Sequence, residues 1–413
     1  MTEVKPNPYA ALHVRDFRLF ILSRLFITLA IQIQSVVVGW QIYEITKNPL
    51  SLGLIGLAEA VPAISVSLYA GHLADVVQRK KIILFCVVLL AFCSAALLYF
   101  TTGLGALVLS HGTWPIYLII FFTGLARGFL SPANFSFMPQ LVERSLYQNA
   151  ITWNSTVWES AAVGGPMIGG LVYGFFGITA AYSAGSVLVI AALVCYSSIP
   201  NRPIPPASEE QGIYEKIKAG INFVFKNQII LSAISLDLFA VLFGGAVALL
   251  PIFADTILHV GAVGLGFLRS APAIGALTMA VYLTHNPIRK HIGKILLWCV
   301  AGFGFCMIGF ALSTNFLVSM CVLVFSGMFD CVSVIVRGTL IHTLTPENMK
   351  GRVSAVNSMF IGSSNEIGML ESGVAARLMG VVPSVIFGGV MTLMVVATTA
   401  WKAPVLRRLQ QVK

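Results

Sequence analysis

Charge is scarce in this chain. Only 10% of its 413 residues are Asp, Glu, Lys or Arg, where a soluble domain carries about 25%. So few polar groups cannot cover a water-facing surface, which excludes a string of soluble domains at this length. Cysteine is also sparse. Cys86, Cys93, Cys195, Cys299, Cys306, Cys321 and Cys331 all fall inside apolar blocks, and none forms a CxxC pair. A disulfide framework and a metal centre are therefore not indicated. The sequence has no nucleotide-binding P-loop, no HExxH and no GxSxG in a strand–turn–helix setting. It leaves no room for an ATPase domain, so no enzyme and no cofactor are expected. Alternating apolar and polar residues over about 10 positions are missing too, which excludes a transmembrane β-barrel.

What the chain has in abundance is apolar sequence, 57% of all residues. It comes in blocks of about 20 residues or more, the length of a helix that crosses a bilayer core. Lipid cannot satisfy exposed backbone groups, so these blocks must be helices. Twelve spans are expected, at 19–43, 50–71, 82–102, 115–138, 150–175, 178–199, 229–251, 262–284, 294–312, 315–343, 353–377 and 383–401. The fold class is all-α integral membrane. The charged tail before the first span, and the length of that span, argue against a cleavable signal.

The longest polar stretch, 200–228, opens on Pro-Ile-Pro-Pro and continues with Ile213, Ile217, Ile221 and Val224 beside Glu215, Lys216 and Lys218. It reads as a linker followed by an amphipathic helix on the membrane surface. It divides the chain into a six-helix bundle at 1–199, the linker at 200–228 and a six-helix bundle at 229–413. The net charge of +10 does not point to nucleic acid, because the basic residues flank the spans. With the N-terminus inside, they fill the cytoplasmic segments, and only Lys47 lies in a loop on the opposite side. By the positive-inside rule both termini are cytoplasmic.

The two halves repeat. A shift of 203 residues lays Phe122 on Phe325, Gly124 on Gly327, Asn154-Ser155 on Asn357-Ser358, Gly165 on Gly368 and Gly170 on Gly373. Each half has an even number of spans, so the repeats share one orientation. Two parallel six-helix repeats point to a transporter whose substrate site lies between them.

Between spans 2 and 3 stands Gly71-His72-Leu73-Ala74-Asp75-Val76-Val77-Gln78-Arg79-Lys80-Lys81. It resembles the loop signature of the major facilitator superfamily, G-x-L-A-D-R-x-G-R-K/R, with Val76 and Gln78 departing from it. Asp16-Phe17-Arg18-Leu19-Phe20, Gly56-Leu57-Ala58-Glu59-Ala60-Val61-Pro62 and Thr345-Pro346-Glu347-Asn348-Met349-Lys350-Gly351-Arg352-Val353 resemble the bacterial branch of enterobactin exporters and transmembrane secretion effectors. The resemblance implies the major facilitator fold, alternating access and export of an amphiphilic small molecule. It implies a conformational role for Gly71, Asp75, Arg79 and Lys80. Span 5 carries Gly164-Gly165-Pro166-Met167-Ile168-Gly169-Gly170, similar to the core of the superfamily's proton-antiporter motif. Gly165, Pro166, Gly169 and Gly170 are the candidate helix-bend residues, with ordinary glycine packing as the plainer reading.

Charges inside a membrane face a cavity or a partner. The mid-span group includes Glu59, Arg127, Glu159, Asp237, Arg269, Asp330, Arg337, Glu366 and Glu371. Glu59 and Glu366 fall at one depth on spans 2 and 11, and with Asp237 they are candidates for carrying a coupling proton. Arg127 and Asp330 occupy equivalent repeat positions and, with Arg337, Gln32 and Gln34, are candidates for the substrate cavity. Asp237 and Arg337 fall at one depth and are expected to pair. Asn134 is available to a substrate or to a neighbouring helix.

A small-molecule substrate, protons as coupling ion, a lipid bilayer and a monomeric state in the cell membrane are the expected partners and setting. The first reading is a proton-coupled exporter of a drug-like or siderophore-like solute. An importer or uniporter on the same fold, for instance for an iron chelate, is the second. A non-transporting membrane protein such as a lipid scrambler is the third. Mid-span acids and Gly-Pro bends favour the first two.

Overall fold

The computed structural model describes residues 9–103, 105, 110, 112–203, 213–286, 288, 290–346 and 349–410. Among these residues there is no β-strand. The main helices are α1 (Arg15–Thr46), α2 (Pro49–Val76), α3 (Arg79–Tyr99), α4 (Trp114–Phe137), α5 (Tyr147–Ser197), α6 (Ile213–Lys226), α7 (Gln228–Gly244), α8 (Gly261–His285), α9 (Ile292–Leu312), α10 (Phe316–Leu344), α11 (Lys350–Met379) and α12 (Val381–Lys402).

These helices give the twelve expected spans. Ten stretches among the described residues are long and apolar enough to cross a membrane by themselves. One of them includes α5, whose 51 residues would measure about 77 Å as one straight helix. A bilayer core is about 30 Å thick, so α5 must cross twice. The turn is Gly177 alone, at φ 82 and ψ 175, a backbone region open essentially to glycine. The sequence places the same break between 175 and 178. The twelfth span is α11, which falls short of the apolar measure because it carries Asn357, Asn365, Glu366 and Glu371.

Span 7 differs from expectation. The apolar run predicts one helix over 229–251. Instead α7 stops at Gly244, and a 3-10 turn (Ala246–Leu249), a short helical turn (Leu250–Ile252) and a π turn (Phe253–Ile257) complete the crossing. Gly244-Gly245 is a weak helix former, and Pro251 has no N–H to continue a regular ladder. The Ser372 hydroxyl donates to the Gly245 carbonyl at 2.9 Å, which satisfies a backbone group at the interruption. At the other end, the Asn227 side chain caps α7 by accepting from Ile229 N and Ile230 N.

The chain separates into two compact units. The first comprises Met1–Val38 and Val61–Glu209, the second Gly39–Ala60 and Glu210–Lys413. The turn joining α1 to α2 therefore packs with the second unit. The first unit is centred on buried Phe20, Phe137 and Tyr196, with Phe20 edge-on to both other rings. The Tyr196 hydroxyl donates to Asn134 Oδ1 at 3.0 Å, so Asn134 bonds a neighbouring helix. Lys80 Nζ donates to the carbonyls of Ser197, at 3.0 Å, and Ile199. It thereby places a cation at the carbonyl end of α5. Arg202 reaches Asp16 at 2.5 Å.

In the second unit, α6 packs Val224 deeply and leaves Ile221 exposed. Val224 is fully buried against Ile230, Ile234, Ile341, Val353 and Val356, while Phe225 stays exposed. The side chains of Ile213 and Ile217 lie outside the described residues. Helices α8 and α10 cross at backbone contact. A Cβ on Gly275 would run into the Val324 carbonyl, and one on Gly327 into the Pro272 carbonyl. Small residues permit that approach.

Candidate transport site

The candidate acids on α2 and α11 belong to one packed contact in the second unit. Gly53 and Gly373 sit where the two helices touch: a Cβ on Gly373 would lie 2.8 Å from Gly53 Cα. One turn along, a Cβ on Gly56 would lie 2.9 Å from the Glu366 carbonyl oxygen. Glu59 follows Gly56 by three residues, so it lies close to this contact on α2. Glu366 also lies within electrostatic reach of Arg269 on α8. The guanidinium of Arg269 in turn borders Gly39 on α1, 3.9 Å from where a Cβ would stand. The group is thus Glu59, Glu366 and Arg269, two acids and one base, all half-buried. Sequence reasoning passed over Arg269 as a candidate, although a lone arginine in the middle of a span is the signal that marks it.

Lys47, in the turn between α1 and α2, reaches the carboxylate of Asp255, in the π turn after α7, at 3.0 Å. Its Nζ also lies 4.5 Å over the Tyr43 ring. The hydrogen bond to Asp255 holds the Lys47 ammonium charged above its ordinary value of 10.5. A raised lysine value stabilises the contact fully below pH of about 10.5 and loses it as pH rises through the raised value. The lysine side chain is 56% exposed, and exposed pairs contribute about 0 to 1 kcal/mol. Lys47→Met is therefore expected to change unfolding stability by less than about 1 kcal/mol, and to remove part of its dependence on salt. Thermal melts at low and high ionic strength check this. An unchanged salt dependence would show the pair contributes nothing.

Asp237 on α7 and Arg337 on α10 form an ion pair buried to 7% and 4% side-chain exposure. Asp330, two turns before Arg337 on α10, lines a narrow cleft with Asp237, Ala240 and Val241 of α7, Cys299, Val300 and Phe303 of α9, and Phe329 and Ser333 of α10. Asp330 therefore points into the interior of the second unit. In that packing it makes no hydrogen bond or ion pair among the described residues.

In the first unit, Gly165 and Gly169 bring α5 against α1. A Cβ on Gly165 would lie 2.5 Å from Gln32 Cβ, and one on Gly169 would lie 3.1 Å from Ile33 Cα. Pro166 stands between them inside the helix, and Gly170 is buried. The glycines act here as a packing face. Gln32 and Gln34 are half-buried on α1, and Arg127 is exposed on α4. Gly71 lies near the end of α2, and Arg79 and Lys80 open α3. The side chain of Asp75 lies outside the described residues.

A family model described as transmembrane secretion effector matches residues 6–411. The chain belongs to that family, within the major facilitator superfamily. Its relatives include the enterobactin exporter EntS of Shigella dysenteriae serotype 1, 27% identical over 345 residues, 82% of this chain and 80% of that protein. The enterobactin exporter EntS of Escherichia coli O6:K15:H31 is 26% identical over 342 residues, with the same coverage. Among solved structures, a bacterial homologue of the iron transporter ferroportin in an inward-facing state matches with a TM-score of 0.69 at 16% identity, over 96% of this chain and 99% of that one. The POT family transporter PepTSo matches with a TM-score of 0.73 at 11% identity, over 95% and 98%. At such identities these structures show the shared fold alone. As a member of this family, the chain is a multi-pass membrane transporter for a small-molecule substrate, and not an enzyme.

Proposed function

We propose that this transporter is a secondary active exporter of a small amphiphilic solute of siderophore type, driven by proton antiport through alternating access. It resides in the bacterial inner membrane as a monomer with both termini cytoplasmic. The observation that carries the reading is the match to enterobactin exporters over 82% of the chain. The acids within the spans supply groups able to take up a proton. The orientation rests on the concentration of basic residues on one side.

In this reading Glu59 and Glu366 are the acids proposed for coupling, and Arg269 is the counter-charge beside Glu366. Arg127, Gln32 and Gln34 are the polar groups proposed for the cavity. The segment with Gly71, Asp75, Arg79 and Lys80 governs the conformational change, and Gly165, Pro166, Gly169 and Gly170 set the path of span 5. The boundary between the six-helix bundles falls in 200–228.

The test is uptake of enterobactin into inverted membrane vesicles containing the protein. Accumulation that rises with an imposed proton gradient and collapses with a protonophore is the expected result. Accumulation indifferent to the gradient would remove proton antiport. No accumulation of enterobactin or of other catecholate chelates would remove the siderophore reading.

A further inference from the structure

The cleft among α7, α9 and α10 is unusual in its charge balance. It holds two carboxylates, Asp237 and Asp330, and one guanidinium is close by, Arg337. Arg337 is already committed to Asp237. Asp330 has no such partner among the described residues. The Ser333 hydroxyl lies one turn away on the same face of α10, in a residue 2% exposed, and has no hydrogen-bond partner. Among the described residues lining the cleft, the charged group from α7 is Asp237 and the titratable group from α9 is the Cys299 thiol. On α10 itself the charged neighbour is Arg337. With both acids ionised the cluster carries an uncompensated negative charge at membrane depth, which is costly. One added proton makes it neutral. The cleft has about 10 Å³ of free space, close to the room one water molecule requires. It is too small for an organic solute.

We propose that Asp330 is a proton-binding site enclosed within the second unit, with Ser333 as its hydrogen-bond partner and the Asp237–Arg337 pair as its electrostatic frame. An O–H bond forms between a carboxylate oxygen of Asp330 and a proton delivered by water, and the same proton returns to water when the site reopens. Ser333 turns to donate to the ionised form or to accept from the protonated form. Arg337 neutralises Asp237 throughout, so ionisation of Asp330 leaves the cluster with one net negative charge. The inference adds a second proton-binding acid to the antiport reading of Glu59 and Glu366, and rests on that reading for the claim that its proton is among those coupled to transport.

The test is a pH titration of the purified full chain in liposomes, followed by infrared difference spectroscopy of carboxylic-acid carbonyl bands. Wild type is expected to show a titrating band that is absent in Asp330→Asn and retained in Glu159→Gln, a span-5 acid outside the proposed machinery. Ser333→Ala is expected to keep the band with its midpoint moved by several tenths of a pH unit or more, roughly two- to tenfold in proton affinity. A set of titrating bands unchanged in Asp330→Asn overturns the site. An unmoved midpoint in Ser333→Ala overturns the role of Ser333. Because the spectrum needs no transported solute, it reads the site even if proton-driven export fails in wild type. If the band is lost in Asp330→Asn while enterobactin accumulation keeps its full dependence on the gradient, the proton bound here is not the coupled one and that part of the inference falls.

Discussion

Arg337→Gln is expected to cost about 3–5 kcal/mol of stability, the usual price of leaving one member of a buried ion pair without its partner. Asp237 and Arg337 are both nearly inaccessible, at 5% and 3% exposure, so water cannot replace the lost guanidinium. The cleft beside them already contains the second acid, Asp330, which adds repulsion once the cation is gone. Thermal unfolding of the purified protein in detergent should show a drop of several degrees or outright failure to accumulate in the membrane. The double variant Arg337→Gln with Asp237→Asn should recover most of the loss, because the two amides can bond to each other without a net charge. A single variant as stable as wild type would mean that the pair is replaced in solution by other contacts.

Gly327→Val should be at least as damaging. The glycines at 275 and 327 lie where α8 and α10 approach closely enough for a Cβ on either to strike the other helix's backbone. Flexible side chains can move aside, but a carbonyl within a helix cannot. The helices must separate, which opens the packing on both sides of the crossing and costs more than the roughly 1–3 kcal/mol of ordinary overpacking. The expected result is little or no folded protein by size-exclusion profile. Gly338→Ala, at a position on α10 where a Cβ would meet nothing within 4 Å, should behave as wild type and serves as the control. Normal yield of Gly327→Val would show that α8 and α10 sit farther apart than described.

Much of this was legible in the sequence because the bilayer simplifies the reading. A stretch of apolar residues bounded by charge fixes a helix, so the twelve spans followed, with spans 5 and 6 divided between 175 and 178; that Gly177 alone makes the turn did not. Matched depth also pointed to Asp237 with Arg337. Depth does not report which way a side chain faces around its helix. That is why nothing in the sequence distinguished Asp330, turned into its own unit, from an acid facing a central cavity. The neighbourhood of Glu366 and Arg269 was hidden for the same reason. The interruption of span 7 at Gly244-Gly245 was masked by hydropathy, since glycine, alanine and leucine keep the run apolar whether or not the helix continues. Lys47 stood out as the lone basic residue on its side, but its partner Asp255 lay beyond the expected end of span 7 and drew no notice.

The one-residue turn at Gly177 has a consequence for how the protein is made. Spans 5 and 6 share no loop that could wait in water while its neighbour enters the lipid. Phe175 and Phe176, at 72% and 75% exposure, lead straight into the turn. Spans 5 and 6 are therefore expected to enter the membrane as one helical hairpin, because a turn this short leaves span 6 no length of chain on which to lag behind span 5.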